Sequence, residues 1–310
     1  MTSHWIESFA EGGANMFSKY LSSAKRLGEI TVYQGLFSNP LLYKTLSDTE
    51  IYRTDFPLND YNTMLYYEPK KFHNFNRFFA PGTIFRQLYP TETLDTIYAF
   101  QVFNSPSVSI PAPDHILATL SQEPIIQAEL SKRSKADLRR ILSIRANEVV
   151  KGGNLLFDIL SKPKDLSVNF SWDCLDLAYT TLIEQGEMFE EHEKPKLNLH
   201  TCFRSNEEVK EILEEFKEIW KIKEIEEKTI SMPAYEKYIK TGVIDDYLDN
   251  LVDFWKYPCL IMMRRVLGYR KTHEEILLDI DAIMNIFKDI CGEMKPVTEQ
   301  QISYVVLEKI

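Results

Sequence analysis

The chain lacks any apolar stretch approaching the roughly 20 residues needed to cross a bilayer, so no membrane-spanning helix is expected among its 310 residues. It is short of positive charge: 36 basic against 46 acidic side chains leave a net charge of −10. That balance argues against a nucleic-acid binder, which needs a basic face to displace counterions, and against docking on an anionic membrane. Cysteine is sparse. Cys174, Cys202, Cys259 and Cys291 stand far apart with no C-x-x-C spacing, the pattern of reduced thiols in a cytoplasmic protein. The six histidines include no H-x-x-x-H pair, which leaves a catalytic zinc site without support. No G-x-S-x-G, P-loop or G-x-G-x-x-G is present either. The opening MTSHWIESFAEGG has no basic n-region followed by an apolar core, so no secretory leader is expected.

The hydrophobic fraction of 44% and charged fraction of 26% are those of an ordinary globular protein. Met16, Phe17, Tyr20, Leu21 and Leu27 recur at helical spacing, and Ile30–Tyr33 is a β-branched run that reads as a first strand. A second strand is expected over Glu50–Thr54, ending at the turn-rich DFPLNDYN. Phe75, Phe78 and Phe79 read as core packing at i, i+3, i+4. A long amphipathic helix is expected from Ile125 to Val150, stopped by Gly152–Gly153 and followed by a buried strand, NLLFDIL at Asn154–Leu160. Helix, tight turn and buried strand in that order are what an α/β domain with a mainly parallel sheet produces. Further helices are expected over Asp173–Ile183, from an N-cap at Ser205 completed by Glu208, and over Ile244–Gly268 and Thr272–Ile290. Strands are expected at Trp220–Ile225 and Ser303–Leu307, and the Glu/Lys run from Glu207 to Lys228 reads as a solvated face.

Three segments together resemble the SABATH methyltransferases, the plant-type enzymes that methylate salicylate, benzoate, jasmonate and xanthine alkaloids. TDFPLNDYN at Thr54–Asn62 is similar to the family's NDLPxNDFN, PGTIFRQLYP at Pro81–Pro90 to PGSFYxRLFP, and LNLHTCFRSNEEV at Leu197–Val209 to FNxPxYxPSxEEV. The helix ending SIRANEVVKGGNLLFDI and the tail from Tyr257 follow the family's later motifs in order, so the resemblance runs from about Ile51 to Ile290. It implies an α/β fold: a Rossmann-like methyltransferase core with a mostly parallel sheet, binding S-adenosylmethionine (SAM), under a helical cap. Core segments would be approximately 28–165 and 200–310, and cap segments approximately 166–200 and 230–270, in a single unit. The resemblance places Asp55 at the position that accepts from the ribose hydroxyls and Phe56 beside the adenine, with Thr83 and Ile84 replacing a Ser-Phe pair at the adenine end. Asn104 and Ser105 stand where the family's SSYSLHWLS holds the acceptor, and Tyr61, Phe85 and Tyr98 are candidate pocket aromatics.

Departures accompany the matches. At the family's first-strand motif, ADLGCSSGPNT, this chain has ITVYQGLFSNP (Ile30–Pro40), with Leu36 and Phe37 where Ser or Gly is expected and no acid at the acidic position. Between SFA at Ser8–Ala10 and Asp55 the chain is shorter than the family by roughly one βα unit of about 30 residues. The metal-associated DxFN of some members becomes PKLN, leaving Asn198. Two readings stand. One is a divergent SAM-dependent methyltransferase with a small-molecule carboxyl or nitrogen acceptor. The other is a catalytically silent member, a pseudoenzyme that binds a partner such as a homologous subunit in a homo- or hetero-dimer.

Overall fold

Strand β4 (Leu94–Phe100) is buried at every position but Asp95, the pattern of a strand covered on both faces. Its side chains alternate as a pleated strand requires. Tyr98 and Phe100 enter one core, while Ile97 and Ala99 enter the other. The computed structural model describes residues 4–22, 24–31, 50–54, 77–79, 82–112, 115–161, 170–186, 188–199 and 201–310. In it β4 sits at the centre of a seven-stranded sheet of order β3-β2-β1-β4-β5-β7-β6. The other strands are β1 (Arg26–Thr31), β2 (Glu50–Thr54), β3 (Arg77–Phe79), β5 (Val149–Leu160), β6 (Trp220–Ser231) and β7 (Glu299–Lys309). Strands β1 to β5 are mutually parallel, and β7 runs antiparallel to both β5 and β6.

Two layers of helices cover the sheet. On one face lie α1 (His4–Leu21), α3 (Ser171–Gln185), α5 (Pro233–Thr241), α6 (Asp245–Leu267) and α7 (His273–Met294). Phe17, Leu175, Tyr179, Leu251 and Phe287 join Tyr98, Leu156 and Tyr304 in a single buried cluster there. On the other face α2 (Pro124–Glu148) and α4 (Asn206–Glu215) bring Leu138, Ile141, Leu142, Val209 and Ile212 against Ile97, Leu155 and Phe157. Proline opens α2 and α5, where its missing N–H costs nothing. Ser205 and Thr272 cap α4 and α7 with reciprocal bonds to Glu208 and Glu275. No described helix is long and apolar enough to cross a membrane.

The expected elements are present among the described residues, with several boundaries displaced. Strand β1 begins at Arg26 rather than Ile30, so Leu27 belongs to the sheet and not to a helical face. The cause is packing: a Cβ on Gly28 would come within 2.6 Å of Leu94 and 3.1 Å of Tyr89, so a bare glycine lets β1 lie close to β4. Gly152 and Gly153 do not stop α2, which ends at Glu148 and passes directly into β5. They lie inside the strand, where its pairing with β4 jumps from Leu94↔Val149 to Thr96↔Asn154. Gly152 is left-handed there, φ +77°, and a Cβ on Gly153 would clash with the Asp95 carbonyl at 2.6 Å. Strand β6 runs on to Ser231 rather than ending at Ile225; Phe78 and Phe79 lie in β3, and Phe75 is outside the described residues. Among the described residues the parallel half holds the five strands β1 to β5. The 18 residues between β1 and β2, 32–49, suffice for a parallel crossover, and the first-strand motif beyond Thr31 lies outside the described residues.

An ion pair closes the end of the sheet opposite the strand termini. Arg145 and Glu148, one turn apart at the end of α2, are both fully buried, with Nε and Oε2 2.9 Å apart. Glu148 Oε1 accepts from the backbone N–H of Leu88 (2.5 Å) and of Tyr89 (3.2 Å), and Arg145 donates to the Arg86 carbonyl at 2.7 Å. Burial pushes the Glu148 carboxyl up and the Arg145 guanidinium down, and each partner's charge acts against the shift. Glu148→Gln keeps an acceptor for the two N–H groups but leaves the guanidinium buried without a counter-charge. Urea unfolding of that variant is expected to show a loss of about 3–5 kcal/mol; a loss below about 1 kcal/mol contradicts this account.

Candidate functional site

In an open parallel sheet ligands lie beyond the carboxyl ends of the strands, at the point where the strand order reverses. Here that point is between β1 and β4. Gln101, the first residue past β4, is left-handed (φ +56°) although it is not glycine. Asp158 of β5 holds it there: the carboxylate accepts from the Gln101 backbone N–H at 2.7 Å and from its side-chain amide. Complete burial raises the Asp158 carboxyl to about 7, against the lowering influence of those bonds.

Three residues on, Asn104 ties three segments together. Its Oδ1 accepts from the Leu160 N–H at the end of β5 (2.9 Å), and its carbonyl accepts from the Cys202 N–H (2.8 Å) and thiol (3.1 Å). Arg204, equally buried, donates to the Phe103 carbonyl (2.6 Å) and the Ser134 carbonyl (3.1 Å), and its backbone N–H reaches Leu160 at 3.2 Å. These bonds seat the segment 201–205 along the ends of β4 and β5.

A cleft of about 590 Å³ opens beside this segment. Its walls come from the first turns of α2, with Gln127, Ser131 and Ser134, from the start of α3, with Phe170, Trp172 and Asp173, from Phe203, and from Glu208 of α4. Trp172 meets Phe203 edge to face at 5.3 Å and Trp255 at 4.7 Å, so its ring is held from two sides. His115 completes the wall. Its Nδ1 lies 2.6 Å from Asp176 Oδ2, and the other oxygen of that carboxylate accepts from the Ile116 N–H at 2.7 Å. Asp173, one turn before Asp176, accepts from the Phe170 N–H at 3.0 Å. Burial first, then the neighbouring Asp176 charge, raises its carboxyl against the lowering effects of that bond and of His115. The hydroxyls of Thr119 and Ser134, residues that line the cleft, are themselves buried and have no hydrogen-bond partner among the described residues.

Of the residues singled out from the sequence, Asp55, Phe56 and Tyr61 lie outside the described residues. Asp55 directly follows Thr54, where β2 ends. Thr83 is half-buried in a turn, its hydroxyl 3.4 Å from the Phe85 N–H. Ile84 and Phe85 pack against the cluster beneath α2. Asn104 holds the strand ends together, and Ser105 lies half-buried beside it, its N–H bonded to the Val102 carbonyl at 3.2 Å. Tyr98 is core, stacked on Phe100 and edge-on to Phe17. None of these described residues lines the cleft. His115, Trp172, Asp176 and Phe203, which do form or back it, carried one legible signal: the i, i+3 spacing of Asp173 and Asp176 on a single helix face.

The frame fits a SAM-type cofactor in the features it describes. Strands β1, β2 and β4 end on one side of the sheet, and the chain delivers an acid, Asp55, immediately past β2. Among known proteins, the family model described as SAM dependent carboxyl methyltransferase matches residues 40–254. The probable caffeine synthase 2 of Camellia sinensis is 24% identical over 189 residues, 54% of this chain and 51% of that protein. The S-adenosyl-L-methionine:benzoic acid/salicylic acid carboxyl methyltransferase 2 of Petunia hybrida is 26% identical over 182 residues, 52% and 50% of the two chains. These matches span about half the length of the curated relatives. A solved structure, loganic acid methyltransferase with SAH, superposes with a TM-score of 0.71 over 99% of this chain and 97% of that one, at 15% identity. At that identity the likeness establishes the fold.

Asp158 makes folding pH-dependent with a fixed sign. Its folded value, about 7, lies above the ordinary 3.8, so the stability it contributes is complete at low pH and is lost as pH rises to about 7. Asp158→Asn can keep the bond to the Gln101 N–H without that proton. Denaturant melts from pH 4 to 8 are expected to show wild type losing about 2–4 kcal/mol more than the variant. Parallel curves overturn the assignment.

Proposed function

The chain belongs to the SAM dependent carboxyl methyltransferases, the SABATH family, and from that premise we propose that it transfers a methyl group from SAM to a small molecule held in the cleft beside β4 and β5. The observation that carries this reading is the cleft itself. It has small-molecule size, an aromatic wall of Phe170, Trp172 and Phe203, and a position on the side of the sheet where β4 and β5 end. When bound, SAM supplies a methyl group already activated on a sulfonium, so the protein has to align an acceptor atom with it and exclude water. Asp55 would take the ribose hydroxyls, with Phe56, Thr83 and Ile84 toward the adenine. Trp172, fixed by Phe203 and Trp255, presents a flat face to a planar acceptor. The relatives named above carry the names of aromatic carboxylic acids and of a xanthine alkaloid, flat molecules suited to such a wall.

Calorimetric titration of SAM into the purified chain is expected to give micromolar binding. Asp55→Ala should weaken it about 10- to 100-fold, the loss of a charge-assisted hydrogen bond. Absence of binding at millimolar SAM overturns the reading. Trp172→Ala should leave SAM affinity unchanged and raise KM for the acceptor about tenfold or more; an unchanged KM removes the cleft from the pocket.

A further inference from the structure

We propose that Cys174, Cys291 and Met294 form a binding site for one soft monovalent cation, Cu(I), in the core between α3 and α7. The inference goes beyond the methyltransferase reading and does not depend on it.

Three sulfurs converge there from two helices. Cys174 stands in the first turn of α3, and Cys291 and Met294 stand one turn apart at the end of α7. The Cys174 thiol donates to the Met294 thioether at 3.9 Å, across 120 positions of sequence. The Cys291 thiol in turn hydrogen-bonds to the Cys174 sulfur. Both cysteines are fully buried and neither is in a disulfide. Met294 is half-buried and packs against the same apolar cluster, so an ion would enter past it.

The spacing suits a trigonal site. With metal–sulfur bonds of about 2.3 Å, three sulfurs around one ion stand about 4.0 Å apart, close to the 3.9 Å between Cys174 and Met294. The donors decide the ion. Two thiols and a thioether are soft ligands, which favour Cu(I) over hard cations. The nearby polar groups are engaged elsewhere: the Asp173 carboxylate accepts from the Phe170 N–H, and the Tyr247 hydroxyl donates to the Pro296 carbonyl. Among the described residues no three His, Cys, Asp or Glu side chains converge, so the four ligands of a structural zinc site are not assembled here.

Binding is an exchange of one cation for two protons. Cu(I) forms bonds to both thiolates and to the thioether, the two thiol protons leave to solvent, and no electron moves. The bond to Cys174 and then burial push the Cys291 thiol up, so that proton is lost only when the metal displaces it. The positive end of α3 beside Cys174 favours the thiolate that forms. Trp172 and Asp173, which line the cleft, precede Cys174 in the same turn. A bound ion therefore ties the start of the cleft wall to the end of α7.

The test uses the full chain, reduced and kept anaerobic, with Cu(I) supplied from the chromophoric chelator bathocuproine disulfonate. One equivalent per chain is expected to leave the chelator, and X-ray absorption at the copper edge should show three sulfur neighbours at about 2.3 Å. Cys174→Ser and Cys291→Ser should abolish the transfer, while Cys259→Ser, a buried thiol elsewhere in the core, should not change it. Met294→Leu keeps the volume at a half-buried position, so it tests the site even where a cysteine variant fails to fold. It should weaken binding by about tenfold or more and reduce the sulfur neighbours to two. Copper left on the chelator, nitrogen or oxygen neighbours at the metal, unchanged affinity in Met294→Leu, or equal loss in Cys259→Ser each overturns the site. No arm measures methyl transfer, so the result holds whichever way the SAM titration falls.

Discussion

The hydrogen bonds from Asp158 and Asn104 to the ends of β4 and β5 are the constraint on which the rest of the site depends. A parallel sheet leaves its strand ends ragged, and the chain beyond each is free to leave in any direction. Asp158 fixes the first residue past β4 in a conformation that a non-glycine side chain rarely adopts, and Asn104 then ties the following turn to β5 and to Cys202. Arg204 extends the same lattice to α2 through the Ser134 carbonyl. The cleft is the space left between α2, α3 and a segment 201–205 whose path these bonds determine.

The buried charges outside the cleft are met mainly by backbone groups. Glu148 caps two N–H groups, Arg145 and Arg204 reach carbonyls, and Asp158 takes an N–H. Such pairs cost desolvation and return little net stability, but they penalise any alternative path of the backbone that would leave a charge buried alone. Buried polar atoms without a partner among the described residues occur on the cleft wall, at the Thr119 and Ser134 hydroxyls, and equally away from it, at Ser231 Oγ and Trp255 Nε1.

Much of the fold was legible because it depends on short-range rules. Strand β2 coincides with its expected span, and the N-cap at Ser205 completed by Glu208 is a local hydrogen-bond pattern that needs no tertiary context. The alternating and helical periodicities of NLLFDIL and of Leu138–Ala146 report the faces they bury. The misplaced boundaries share a different cause. The Gly152–Gly153 pair reads as punctuation, yet Gly153, like Gly28, marks a close approach to a strand distant in sequence. The site was less legible still. Tyr98 and Asn104 were credible pocket residues by position, but the direction of a β-strand side chain and the partners of a buried amide are set by which strand lies alongside.

What the sequence determined by itself is the family and the order of its elements, because motifs such as PGTIFRQLYP and the capped helix starts are contiguous and their chemistry is local. Tertiary structure alone decided which side chains share a cleft. His115 and Asp176 are 61 residues apart, and Trp172 meets Trp255 across 83 positions. No spacing rule reaches that far. The two tryptophans meet because α3 and α6 pack in one core on the same face of the sheet, and His115 is carried to Asp176 by Ile116 and Leu117 entering that core, a result of burying apolar area that no short window of sequence contains.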